Sequence, residues 1–134
     1  MILSRNYDNL SQVMRNRKTG FIDRMGKEII PVKYDDILDF NEGLAQVAND
    51  KKCGFVDEKG KEVIALQYDG SDMFSEGLAA VSRNNKIGFI DRTGKEVISF
   101  QFDKLIYRFS KGKALVEKDG KEFYIDKTGK QTVD

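Results

Sequence analysis

Four aspartates, Asp23, Asp57, Asp91 and Asp126, occupy matching places along this chain, and carboxylates in register are the first residues to test for chemistry. Paired carboxylates do acid–base or nucleophilic work when two of them face one substrate from different environments, so that one pKa is pushed away from the other. These four sit in near-identical surroundings: "GFIDRMGKE", "GFVDEKGKE", "GFIDRTGKE" and "FYIDKTGKQ". Matching surroundings give matching acidities. An Asp three residues before a Gly already has an explanation in a type I turn, where its side chain accepts backbone N–H bonds and the glycine enters a bulge. Asp23 with Gly26, Asp57 with Gly60, Asp91 with Gly94 and Asp126 with Gly129 are therefore read as structural turn residues.

The remaining chemistry is sparse. The chain has no His, which removes the commonest general base and metal ligand together. Cys53 is its only cysteine, so an intrachain disulfide is ruled out, and no activating base lies beside it in sequence. There is no CxxC, HExxH or calcium-loop spacing, and the recurrent Gly-Lys leads into a strand pattern rather than the helix a phosphate loop needs. The expectation is a protein that is not an enzyme and that holds no metal or cofactor. Tyr34-Asp35, Tyr68-Asp69 and Phe102-Asp103 offer one other possibility, because an aromatic face beside a carboxylate suits a sugar; the alternative is that these rings fill the core.

The elements that carry these residues repeat. Gly20, Gly54 and Gly88 are spaced by 34, as are Gly26, Gly60 and Gly94, and Tyr34, Tyr68 and Phe102. Gly43 and Gly77 keep that spacing, and Gly112 and Gly129 arrive one residue late, which places an insertion between Asp103 and Phe109. The same period serves helical tetratricopeptide repeats, but lattice glycines would each cost about 1 kcal/mol inside helices, and the short runs rich in Val, Ile and Phe suit strands. Asn16-Arg17, Asp50-Lys51, Asn84-Asn85 and Asp119-Gly120 each begin with a residue that tolerates positive φ, as a tight hairpin demands.

Each unit is then a three-stranded meander, such as "GLAAV", "GFID" and "KEVI", followed by a connection of about a dozen residues. Ala45 with Val47, Ala79 with Val81 and Ala114 with Val116 alternate onto one face, with Ser11 and Val13 as the imperfect first pair. One meander cannot cover that face alone, so neighbours must stack. The expected architecture is a single all-β repeat domain over residues 1–134. It comprises a half repeat at about 8–30, repeats at about 31–64 and 65–98, and a last repeat at about 99–134. An open, solenoid-like hairpin array is expected, with a partly closed propeller- or barrel-like arrangement as the alternative.

Gly54-Phe55-Val56-Asp57, Gly60-Lys61-Glu62-Val63-Ile64, Tyr68-Asp69 and Glu76-Gly77-Leu78-Ala79 together resemble the bacterial WG repeats, also called KWG repeats, and the similarity runs from about Leu10 to Lys130. The chain departs from that pattern in lacking Trp: Thr19, Cys53, Ile87 and Glu122 stand at the tryptophan position, and Phe123 replaces the glycine after it in the last copy. The resemblance implies a repeat array that mediates binding.

Lys and Arg total 23 against 22 Asp and Glu, so the net charge of +1 supplies no overall field for nucleic acid. A basic N-terminal cluster, Arg5, Arg15, Arg17 and Lys18 against Asp8, reads as a solvated edge. The opening "MILSRNYDNL" lacks the apolar run of a signal peptide, and no segment has the roughly 20 apolar residues of a membrane helix, so the expected location is cytoplasmic. If the lattice residues keep shape, binding belongs where the repeats differ. The most divergent stretch is "DKLIYRFSKGKA", either a slightly expanded loop or a contact surface. Lys104, Tyr107 and Arg108 are its partner-binding candidates, since Tyr and Arg commonly anchor interfaces. The function expected is a non-enzymatic scaffold that binds another protein. The alternatives are a module for a carbohydrate or envelope ligand, and a small intracellular inhibitor or immunity-type protein that blocks an enzyme.

Overall fold

The computed structural model describes residues 2–7 and 10–132, with side chains from Leu10 onward. Every regular element among them is a β-strand. The first sheet joins β1 (Ile2–Tyr7), β2 (Leu10–Arg15), β3 (Lys18–Ile22) and β4 (Glu28–Tyr34) in sequence order. The second joins β5 (Asp36–Asn41), β6 (Leu44–Asn49), β7 (Lys52–Asp57) and β8 (Glu62–Tyr68) in the same way. The third contains β9 (Gly70–Ser71), β10 (Leu78–Arg83), β11 (Lys86–Asp91) and β12 (Glu96–Phe102), and the fourth contains β13 (Lys104–Ser110), β14 (Lys113–Lys118) and β15 (Lys121–Ile125). Each is an antiparallel meander whose first and last strands are not paired to each other, so none closes into a barrel; the protein is an all-β open array of hairpin repeats.

Three turns build each repeat. Between its second and third strands both turn residues have positive φ: Asn16 and Arg17 at 54° and 67°, Asn84 and Asn85 at 54° and 65°. That is the mirror-image turn whose twist matches a tight hairpin. Next comes the Asp turn. In the third repeat the Gly94 N–H donates to the Asp91 carbonyl at 3.0 Å, and Asp91 Oδ1 accepts from the N–H groups of Thr93 and Lys95 at 2.9 and 3.0 Å. Asp23, Asp57 and Asp126 accept the corresponding pairs of N–H groups at 2.8 to 3.1 Å. Asp91→Ala is expected to lower stability by about 1 kcal/mol, read as a lower urea midpoint with the same slope. An unchanged midpoint would detach this carboxylate from the turn.

The third turn corrects the sequence reading. The stretch taken as a connection is itself a strand, β5, β9 or β13, paired to the next through Glu42-Gly43, Glu76-Gly77 or Lys111-Gly112. These dipeptides have φ of 54° and 81°, 53° and 83°, and 54° and 83°, so they form the same type of tight turn. The first three sheets are thus four-stranded meanders and the fourth has three strands, and the lattice glycines 43, 77 and 112 mark the added hairpin.

The lattice glycine at the start of "GFVD" has a different cause. A Cβ on Gly54 would lie 2.5 Å from the Ile64 carbonyl oxygen, because β8 passes directly over it. In the fourth sheet the corresponding strand is reduced, among the described residues, to the bridge between Ile125 and Gln131. Nothing then forbids a side chain, and Phe123 fills the place, edge-to-face with Phe102 at 6.2 Å.

The described chain divides into two compact units, one up to Gln67 and one from Tyr68. In the first, Phe21, Ile30, Tyr34, Ile37, Phe40 and Val47 form a buried cluster between sheets. In the second, Phe89, Ile98, Phe102, Phe109, Val116 and Ile125 do the same. The expected alternation holds for Ala45, Val47, Ala79, Val81, Ala114 and Val116, all at most 1% exposed. It is incomplete as a description, because Leu44 to Val47 and Leu78 to Val81 are buried on both faces. In β2 the buried residues are Leu10 and Gln12 rather than Ser11 and Val13, with the Gln12 amide donating to Thr19 Oγ1 at 2.9 Å. Of the basic N-terminal cluster, Arg15 pairs with Glu28 and Lys18 with Asp35, while Asp8 and the Arg5 side chain lie outside the described residues.

Candidate functional site

The Tyr-Asp and Phe-Asp pairs are part of the framework. Tyr34, Tyr68 and Phe102 are 0, 4 and 1% exposed, so none presents a ring face to stack a sugar, and the carbohydrate reading loses these residues. Burial, reinforced by a 2.7 Å hydrogen bond donated to Glu62, pushes the Tyr34 hydroxyl well above its ordinary pKa. The neighbouring acids clamp hairpins: Asp35 accepts from the Asp50 N–H, Asp69 from the Asn84 N–H and Asp103 from the Asp119 N–H, at 2.9 to 3.0 Å. Lys18 and Lys86 bond to Asp35 and Asp103 and hold both carboxyls below the usual range.

The divergent stretch forms β13, an edge strand of the fourth sheet. Leu105 and Phe109 are its fixed points, matching Ile37 and Phe40 of β5. Between the latter pair lie two residues, Leu38 and Asp39; between the former lie three, Ile106, Tyr107 and Arg108. The inserted residue is absorbed by irregular pairing on both sides of Tyr107, where β5 has a single irregularity. A bulge turns side chains away from the alternating pattern, and Tyr107 is accordingly 65% exposed. Arg108 beside it is fixed by two bonds to Asp72, from Nε at 2.9 Å and Nη2 at 3.1 Å. Lys104 is exposed at the start of the strand.

Tyr107 and Arg108 border an open hollow of about 650 Å³, completed by residues the sequence reading did not single out: Asp72, Lys111, Lys113 and Tyr124. The Lys113 ammonium lies 4.7 Å from the centre of the Tyr124 ring. Glu76 accepts the Lys111 and Gly112 N–H groups at 2.7 and 2.9 Å, which fixes the turn carrying both lysines. Those bonds, that from Gly112 foremost, hold the Glu76 carboxyl below its ordinary pKa. A sequence signal for the missed residues did exist. On the lattice Lys111 replaces Glu42 and Glu76, Lys113 replaces Leu44 and Leu78, and Tyr124 replaces Phe21, Phe55 and Phe89. The replaced Leu and Phe residues are all buried. Lys104 lines an adjoining hollow with Leu105 and Asp72. The candidates Lys104, Tyr107 and Arg108 thus border two neighbouring hollows of the second unit.

Among the described residues no group of three Cys, Asp or Glu side chains is placed to hold a metal ion, and no helix is long and apolar enough to cross a membrane. Meanders repeated at a fixed period define a β-repeat protein. The model of the WG containing repeat matches residues 20–53, 54–86 and 87–121, and the chain belongs to that family. No curated protein matches the chain.

Proposed function

We propose that this protein is a non-catalytic repeat scaffold that binds another protein through the hollow beside β13. The observation that carries the reading is where the fourth sheet leaves the lattice. Packing asks for Leu at the position of Lys113 and Phe at that of Tyr124, as the sister repeats show. Their replacement, together with a bulge that exposes Tyr107 beside a rigidly held Arg108, gives up regular core for an amphipathic surface. Rings with polar tips and Arg are the side chains that most often dominate binding energy between proteins. The repeated acids are occupied in turns and clamps, which leaves catalysis without a distinct pair of carboxylates.

The test is a quantitative pull-down from host lysate with the wild-type chain and with Tyr107→Ser. An anchor of this kind contributes about 2 kcal/mol, so a stoichiometric partner should be retained roughly thirtyfold less well by the variant at unchanged Tm. A partner held equally by both chains would move binding off this hollow. If the wild-type chain enriches no protein, the scaffold reading fails.

A further inference from the structure

We infer that the face of the fourth sheet carrying Tyr107, Leu115 and Tyr124 docks the first sheet of a second copy of this chain, head to tail. This rests on the protein-binding reading above and names the partner. The argument starts from how sheets pack within one chain. Along a strand, side chains alternate between two faces. One face bears large residues: Leu10, Gln12 and, opposite Gln12, Phe21 in the first repeat, and Leu78, Ala80 and Phe89 in the third. The other bears small or branched ones: Ala45, Val47 and Val56 in the second repeat, and Ala114, Val116 and Ile125 in the fourth. Within each unit a large face meets a small one. Leu10 and Phe21 share a buried cluster with Ala45, Val47 and Val56. Leu78, Ala80 and Phe89 share another with Ala114, Val116 and Ile125.

Two such faces are half-open among the described residues. In the fourth sheet the large face is Lys113, Leu115 and Tyr124, all half-buried, whereas the counterparts Leu78, Ala80 and Phe89 are buried. Tyr107 lies opposite Leu115 and extends that row, so the hollow beside β13 belongs to this face. In the first sheet the small face is Ser11, Val13 and Ile22, all half-buried, whereas Ala45, Val47 and Val56 are at most 1% exposed. The fit that seats one sheet on another inside the chain therefore continues from the fourth sheet of one copy to the first sheet of the next. Two large faces would set Leu115 and the tyrosines against themselves, and two small faces would leave a gap, so the contact joins unlike faces. Lys113, the Tyr124 hydroxyl and Ser11 put polar atoms where the sister repeats have Leu, Phe and Ala, a composition that suits a reversible interface rather than a permanent core.

The test is sedimentation velocity on the full chain over a roughly hundredfold range of concentration, where the average mass should rise with concentration. Val13→Arg spoils the small face and Leu115→Arg the large one. Each variant alone should sediment as a monomer. An equimolar mixture of the two should form a dimer and nothing larger, because one sound face of each kind remains. Thermal melts check that both variants fold. If either loses its transition, Ser11→Arg replaces the first and Tyr107→Ser the second, each weakening association at least tenfold. A wild-type chain that stays monomeric overturns the inference, as does persistent association of either variant alone or a mixture that fails to dimerise. A monomeric chain whose lysate partner is nevertheless lost in Tyr107→Ser would leave the scaffold reading standing, so the two failures are distinguishable.

Discussion

The Gly60→Val variant should lose more than about 4 kcal/mol of stability, so that the thermal transition of the first unit falls by about 15 °C or more. Two costs add at this position. Gly60 has a φ of +86°, where a β-branched residue is strained by about 1 to 2 kcal/mol. A Cβ there would also sit 2.1 Å from the Ile29 carbonyl oxygen, 3.1 Å from its carbon and 3.3 Å from the Ile30 Cα. Those are backbone atoms of β4, and Ile30 is fully buried, so the strand cannot retreat without opening the core. Gly26 is the control, with a φ of +85° and nothing within 4 Å of its would-be Cβ. Gly26→Val should show the conformational cost alone. Thermal melts followed by circular dichroism separate the two: equal losses would remove the close approach from the account, and an unchanged melt for Gly60→Val would remove the positive-φ turn as well.

Phe89→Ala should cost about 3 to 5 kcal/mol, the usual penalty for deleting a buried ring and leaving a cavity. Phe89 is 1% exposed and meets Phe109 and Phe102 edge-to-face at 5.1 and 6.4 Å, so one ring holds strands of the third and fourth sheets together. Phe89 belongs to a buried cluster with Ile98, Phe102, Phe109, Val116 and Ile125, drawn from strands of both sheets, so truncating it leaves a cavity walled by other core side chains. Urea unfolding should show a large drop in midpoint with little change in slope. Phe89→Leu should recover much of the loss, because it returns most of the apolar volume. A deficit below about 1.5 kcal/mol for Phe89→Ala would mean that the cavity closes by relaxation and that these sheets are less rigidly packed than their geometry implies. Because Phe109 anchors the end of the bulge that exposes Tyr107, the same variant should also weaken partner binding.

The residues themselves disclosed the lattice, three strands of each repeat and two of the three turns, because each of these depends on interactions only a few positions apart in sequence. Asp91 and Gly94 specify a bulged turn wherever they are placed, and Asn84-Asn85 specifies a tight hairpin. The first strand of each repeat was harder to see. β9 is only two residues long and β13 carries an irregular bulge, so neither shows the period-two alternation by which strands are recognised.

From residue types and spacing alone the chain reads as an all-β repeat protein of the WG family, with Lys104, Tyr107 and Arg108 in the stretch that escapes the repeat. Local turn chemistry and a fixed period suffice for that, since every copy must satisfy the same backbone. The tertiary structure alone decided which lattice residues are buried and which neighbours complete the candidate site. Asp72 reaches Arg108 across 36 positions of sequence, and Tyr124 joins Lys113 only because β14 and β15 are paired. It also decided the fate of Tyr34 and Tyr68: an aromatic beside an aspartate reads alike in core and binding site, and only the packing of one strand against another shows which face of the ring remains.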